Sequence, residues 1–486
     1  MVNTPSTKRL LIIIGAYPDI GKGILASSCA YLLQQQGIKI LPLKFDGYLN
    51  YSSGSMNPYH KPMEILYDEE EVFVLKDGFE TDADSGYYER FIGQELDGNH
   101  NLTNGKLFSR LLSEEKVGNF PPGEILKFAH IDREVVHWLV EESRNVDLLI
   151  LEIGGTVGDP ESVFIYRALN LIKNQEGFKV ITILLAPYFE PSQNGCLAKS
   201  SRTKLARQAF ETAARAGARP DIVGFRCSDS TTIVQGDLDY VAFDCGLRKS
   251  DLFVVPDCKP VYELPRVLTE QGLETRLISL LDLAPDLAHT QDRLENYCTV
   301  YRALQNSALI KIGIFGKSVS QDSYISLREA VEHAATSMMC RVDIFWIDDL
   351  IHRASDLFNI LPTFDGLIVG ENLYNWQEKI VALNIARIQS IPTLCISFGF
   401  DLAVYELARG ICGLPDVILE EIQSGVSPFR IKTVPPVLGS RPVTIDEGSL
   451  LFQLYGQATI EERHRHQSWL SFQVRPPQAR LRSAGG

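Results

Sequence analysis

The chain has 486 residues, of which 61 are acidic and 47 basic, giving a net charge of −14 with 45% hydrophobic and 22% charged residues. This acidic balance argues against a nucleic-acid partner, because phosphate backbones are gripped by a concentrated basic surface. The length exceeds what one ordinary core organises, so two or three domains are expected.

No apolar run reaches the roughly 20 residues needed to cross a bilayer. The start, "MVNTPSTKRLLIIIG", lacks a signal-peptide cleavage pattern. The nine cysteines are dispersed without a CxxC pair. A cytoplasmic protein with reduced thiols, away from membranes, is the expectation.

The first predicted strand, "LLIIIG" (10–15), leads into a helix, "ILASSCAYLLQQQG". There Ile24, Leu25, Ser28, Cys29, Leu32 and Leu33 make one stripe at helical spacing. Further strands follow at "IKILPLKFD", "DLLILEIGG", "FKVITILLAP" and "PDIVGFRC". Continuous apolar strands alternating with helices predict an α/β fold, a parallel sheet covered on both faces. Residues 283–308 read as a polar helical linker, and a second alternating series starts at "LIKIGIFGK". The expected layout is a first domain over 1–282, a linker over 283–308, a second α/β domain over 309–470 and a frayed tail over 471–486.

Between the first strand and its helix lies "GAYPDIGKGI". Backbone N–H groups at such a helix start, together with Lys22, suit a phosphate chain. The alternative is a glycine turn with a surface lysine. Gly23 stands where a Walker loop has the Ser or Thr that ligates magnesium, so carboxylates from elsewhere must hold any Mg²⁺. Asp82 and Asp84 in "DGFETDADSGYYERF", Glu152 near the carboxyl end of a buried strand, and Asp159 and Glu161 beyond it are the candidates. Ligands of open parallel sheets gather at that edge, and an unpaired buried carboxylate such as Glu152 is costly as mere core.

In this order, "GKGI", "LKFDGYLN", "GFETDADSGYYERF" and "EIGGTVGDPES" closely resemble the synthetase domain of the CTP synthase family, and the resemblance extends more weakly over nearly the whole chain. It implies a P-loop-like parallel-sheet synthetase domain followed by a flavodoxin-like α/β domain of the class I glutamine amidotransferase type. It assigns Lys22 and Lys44 to the ATP phosphates and the transferring phosphoryl group, and Asp82 and Glu152 to Mg²⁺. Pro18, Asp19, Ile20, Gly21, Lys22 and Gly23 would form the ATP loop, and Pro256, Asp257 and Cys258 would meet the adenine. Asp159, Pro160 and Glu161, with Arg202, Lys204 and Arg207 of "RTKLAR", would bind UTP or CTP, together with Pro18 and Lys44. The implied reaction phosphorylates O4 of UTP with ATP and displaces the phosphate with ammonia. The implied assembly is a homotetramer.

The sequence departs from the family pattern. Pro18-Asp19 replaces Ser-Ser, removing an N–H donor and adding a negative charge beside the phosphates. Asp239 stands where a lysine meets the pyrimidine nucleotide, and "HKPMEILYDEE" lengthens a loop. In "CISFGFD", Ser397 occupies the position of the amidotransferase cysteine, and Cys395 that of its first glycine. The downstream histidines, His464 and His466, are not followed by Glu at the second position, and Gly370-Glu371-Asn372 replaces Pro-Gly-Gly. A serine hydroxyl needs stronger base activation than a thiol, so the expectation is a glutaminase-like domain without glutaminase chemistry. A non-catalytic nucleotide-binding or assembly protein is the alternative, and glutamine hydrolysis through Ser397 a third.

Overall fold

Every residue from Leu10 to Ile14 is buried. A strand with no polar face must be covered on both sides, which makes it a central parallel strand. The computed structural model describes residues 8–52, 71–120, 127–173, 177–189, 199–229, 233–286, 292–316, 324–370, 375–413 and 430–470. Within these, packing divides the chain into two compact units, one of residues 8–52 with 79–299 and one of 71–78 with 300–470.

In the first unit, β1 (Lys8–Gly15) is followed by α1 (Lys22–Gln35), β2 (Ile40–Asp46), α2 (Ala83–Ile92), β3 (Asn101–Thr103), β4 (Leu148–Ile153) and β5 (Phe178–Pro187). Then come α3 (Lys204–Ala216), β6 (Ile222–Cys227), α4 (Gln235–Cys245), β7 (Leu252–Pro256) and α5 (Arg293–Ala303). The seven strands form one parallel sheet in the order β3-β2-β4-β1-β5-β6-β7. Its core joins Leu10, Ile12 and Ile14 to Leu43, Leu149, Leu151, Leu184 and Phe225.

Two expectations change. Helix α1 is buried on nearly all sides between Leu25 and Leu33, not along one stripe, because α2 and the helices at 264–270 and 273–281 also pack on it. Helix α5 begins as part of the first unit. Leu294 and Cys298, one helical turn apart, are buried with Tyr31, Phe91 and Tyr262. Its apparent polarity hid that pair.

The second unit has four parallel strands, β8 (Leu309–Phe315), β9 (Arg341–Trp346), β10 (Gly366–Val369) and β11 (Thr393–Cys395), in the order β9-β8-β10-β11. Helix α6 (Trp376–Gln389) precedes β11 and α7 (Phe398–Gly410) follows it. An antiparallel pair, β12 (Arg430–Thr444) and β13 (Thr459–Leu470), completes the described part. Phe315, Leu357, Leu367, Val369, Ala386 and Leu402 form its core. The lengthened loop at 60–70 and the tail from 471 lie outside the described residues, apart from the bounds given.

Lys379 is 0% exposed in that core, with Nζ 5.9 Å from the Phe315 ring centre. Burial pushes its ammonium down from the ordinary 10.5 to about 8. Below pH 8 the folded unit therefore carries a desolvated charge that the unfolded chain hydrates freely. Between pH 8 and 10.5 the unfolded state binds more protons, so stability rises with pH. The thermal stability of the second unit should therefore rise between pH 8 and 10.5, and that rise should be lost in Lys379→Met. Thermal unfolding followed across that pH range checks this.

Candidate functional site

The carboxyl edge of the first sheet carries a polar row that the register dictates. Asn101 of β3 lies opposite Lys44 of β2, and Lys44 lies opposite Glu152 of β4. Parallel partners share a face, so the three side chains stand side by side in an otherwise apolar sheet. Glu152 and Lys44 are buried, and the Lys44 Nζ is 3.3 Å from Glu152 Oε1.

Helix α2 brings further carboxylates to the same point. Asp82, its N-cap, accepts the Asp84 N–H and lies 3.0 Å from Lys44 Nζ, while Asp84 pairs with that ammonium directly. A Cβ on Gly23 would overlap the Asp84 carboxylate, so a Walker-type hydroxyl residue has no room there. Tyr88, one turn after Asp84, donates its buried hydroxyl to Glu152 Oε2.

The electrostatics follow from this crowding. Burial raises Glu152, and Asp84 adds to the effect, to about 7. Burial likewise raises Asp46, to about 7, and raises Asp82. Burial alone would lower Lys44, yet Asp82, Asp84 and Glu152 hold it well above the ordinary lysine value. Carboxylates outnumber ammonium groups here, which favours another cation.

Among the described residues no three acidic, His or Cys side chains converge on one ion position. Lys44 separates the carboxylates instead. Such an all-oxygen donor set fits Mg²⁺, which takes one or two carboxylates and completes its shell from water and phosphate oxygens.

The loop before α1 is tight. Gly21 has φ 92°, and Lys22, 5% exposed, donates to the Gly155 carbonyl at 3.1 Å. Ile20 is buried, whereas Pro18 and Asp19 lie on an exposed turn where Asp19 has φ 51°. Arg226, at the end of β6, ties this loop to the segment 256–258. Its Nε lies 3.7 Å from where a Gly21 Cβ would stand, its NH1 donates to the carbonyls of Cys227 (3.0 Å) and Val255 (3.1 Å), and it pairs with Asp257. Cys258 is half-buried, its Sγ 3.8 Å from the Pro256 carbonyl.

The residues expected to meet a pyrimidine nucleotide are placed less uniformly. Asp159 accepts the Thr156 N–H at 2.6 Å, and Pro160 and Glu161 are exposed at the loop tip. Lys204 is exposed, and Arg207 pairs with Asp244 at 3.2 Å. Arg202 is engaged internally, its Nε 2.5 Å and NH2 2.8 Å from the two oxygens of buried Asp237, which also accepts the Tyr188 hydroxyl. Asp239 pairs with Lys249 at 2.8 Å, so its negative charge is matched on the spot.

In the second unit, Ser397 joins β11 to α7 with φ 54° and ψ −119°. That backbone is strained for a residue with a side chain, and it is the sharp strand-to-helix turn that exposes a nucleophile. The turn therefore forms although Cys395 replaces its first glycine. Gly399 permits it, since a Cβ there would overlap the Val369 carbonyl. Burial pushes the Cys395 thiol up to about 11, leaving it unactivated. The His464 and His466 rings meet edge to face on β13, their centres 5.2 Å apart. Glu371 and Asn372 lie outside the described residues.

A parallel sheet with a glycine-rich helix start, two lysines and buried carboxylates at its carboxyl edge defines a phosphate-binding α/β protein. The comparisons narrow the class. The family described as CTP synthase N-terminus matches residues 8–283. The CTP synthase of Archaeoglobus fulgidus is 30% identical over 94% of this chain and 86% of its own length, and that of Pyrococcus abyssi 32% identical over 95% and 85%. The glutaminase domain of Trypanosoma brucei CTPS with bound acivicin is 26% identical over 36% of this chain and 72% of its own, at a TM-score of 0.32. The chain belongs to the CTP synthase family.

Motif reading passes over Asp46, Tyr88, Asn101 and Arg226. Two of them leave a trace in the sequence, since Asp46 shares a strand face with Lys44 and Tyr88 a helix face with Asp84. Asn101 and Arg226 reach the site only through strand pairing.

Lys44→Met should cost about 3–5 kcal/mol, the usual penalty for leaving buried carboxylates without their counter-charge, with millimolar Mg²⁺ recovering part of it; urea unfolding with and without the metal checks both. Ser397→Gly should instead stabilise the second unit by about 1 kcal/mol by relaxing the positive φ, as thermal unfolding will show.

Proposed function

We propose that the first unit is an ATP-dependent amidoligase converting UTP, or a related pyrimidine nucleotide, to CTP, with ammonia rather than glutamine as nitrogen donor. The observation that carries this reading is the Lys44 ammonium set among Asp82, Asp84 and Glu152, in a chain whose relatives are CTP synthases. In this reading ATP phosphorylates O4 of the uracil, converting a poor leaving group into phosphate, and ammonia displaces it at C4.

Each residue then has a physical task. Lys22 and the N–H groups from Ile20 to Gly23 hold the ATP phosphates, and Lys44 neutralises charge on the transferring phosphoryl oxygens. Asp82 and Glu152 hold Mg²⁺, which supplies charge neutralisation across the phosphate oxygens. Pro256, Asp257 and Cys258, tied to the loop by Arg226, flank the adenine. Asp159, Pro160, Glu161, Lys204 and Arg207 meet the pyrimidine nucleotide, while Arg202 fixes Asp237 and so shapes the segment. The reading carries with it a cytoplasmic homotetramer.

Ammonia is favoured because a serine on a strained turn stands where the family has its nucleophilic cysteine. The exposed Asp19 and the internal engagement of Arg202 favour a second reading, in which the protein binds nucleotide without turnover, or assembles with an active relative.

The deciding measurement is CTP formation from UTP and ATP with Mg²⁺, using ammonium or glutamine as donor. Product is expected with ammonium alone, lowered by roughly a hundredfold or more in Lys22→Ala and Glu152→Gln and unaffected by Ser397→Ala. Efficient use of glutamine by the isolated chain would defeat the donor assignment. Nucleotide binding without product at saturating ammonium would leave the second reading standing.

A further inference from the structure

Asn101 is 1% exposed at the carboxyl edge of the sheet. Its Nδ2 donates to Asp46 Oδ2 at 3.3 Å and toward Thr81 Oγ1 at 3.5 Å. Its Oδ1 is enclosed and, among the described residues, receives no hydrogen bond. Exchanging the amide oxygen and nitrogen does not help while Asp46 is ionised, because the oxygen would then face the carboxylate and the N–H₂ group would lose its acceptor. Native interiors keep such an orphan where something else satisfies it.

The surroundings define what is missing. Asp46 is 3% exposed, with one oxygen facing Asn101 and the other packed so close to Gly154 that a Cβ there would overlap it. The Thr81 and Ser85 hydroxyls lie 3.0 Å apart next to the amide. The niche therefore combines a carboxylate, an unfilled carbonyl oxygen and adaptable hydroxyls, and it calls for a small group that donates hydrogen bonds and carries positive charge. Asp46 follows Lys44 by two residues on the same strand face, so the niche adjoins the lysine given to phosphoryl transfer. Water would fill the acceptor alone; a cation would also answer the surplus of carboxylates, since Asp46 shares the Lys44 charge with Asp82, Asp84 and Glu152.

We propose that Asn101 Oδ1 and the Asp46 carboxylate form a binding niche for ammonium, holding the nitrogen donor beside Lys44. The proposal rests on the amination reading and names the site that would hold its nitrogen source, ammonium becoming the ammonia nucleophile once it passes a proton to the Asp46 carboxylate. Four N–H donors and one positive charge match two fixed acceptors and flanking hydroxyls. Asn101 and Asp46 act here by binding the donor, not by touching the phosphates.

The test uses the full-length chain and ¹⁵N-labelled ammonium chloride, with sodium chloride keeping ionic strength constant. Ammonium binding is followed by NMR and CTP formation in parallel. Saturable binding is expected, weakened at least about tenfold, the worth of one buried charged hydrogen bond, in Asn101→Leu. It should be retained in Thr182→Val, which removes a buried hydroxyl elsewhere in the sheet that has no partner among the described residues. In the assay, Asn101→Leu should raise the KM for ammonium by a similar factor while the KM values for ATP and UTP stay put. If Asn101→Leu does not fold, Asp46→Asn reads the same niche. Absence of saturable binding to the parent chain, as expected of a niche filled by water only, overturns the proposal, as does equal displacement by potassium or undiminished binding in Asn101→Leu. Binding that depends on Asn101 in a chain that forms no CTP supports the niche and defeats the amination reading instead.

Discussion

One buried ammonium group organises the first unit. Lys44 projects from an inner strand next to the sheet edge into a region from which water is largely excluded, and carboxylates from β4 and the start of α2 converge on it. A charge in such a place is tolerated only when paired, and the converse holds for Glu152 and Asp82. The group fixes where α2 begins, why Gly23 has no side chain and why Tyr88 points inward. Because the carboxylates exceed what the lysines neutralise, the cluster favours further positive charge. The stabilising contact and the candidate binding site are one arrangement.

The second unit keeps the shape of a nucleophile turn with a serine at its tip. Ser397 retains a strained backbone, and Gly399 retains the clearance that the turn demands. Such a turn persists because the strand-to-helix crossing buries Phe398 and Leu402 in the core, so packing preserves the geometry whatever residue sits at the tip. Strain at a site is thus a record of architecture as well as of catalysis. In the same unit Lys379 carries a buried charge at neutral pH, which Asp348 offsets in part.

Much of this was legible in one dimension. The apolar runs at 10–15, 148–153 and 178–187 have no polar face, and parallel, doubly covered strands are their physical solution. Lys22, Lys44, Asp82 and Glu152 were conspicuous because charged residues next to buried strands demand partners. Less was visible at the margins of elements. The linker reading of 283–308 treated α5 as polar, since two buried residues among eleven do not shift its composition. The fate of Arg202 was hidden because Asp237, which engages it, lies 35 residues away.

The sequence by itself determined the fold class, the phosphate loop, the family and the change at Ser397, because strand periodicity, glycine placement and residue chemistry are local properties. Only the tertiary structure decided which charges meet. It set Asn101 beside Lys44, tied Arg226 to Asp257, and withdrew Arg202 into an internal pair, because strand register and helix docking bring together groups that no spacing along the chain relates.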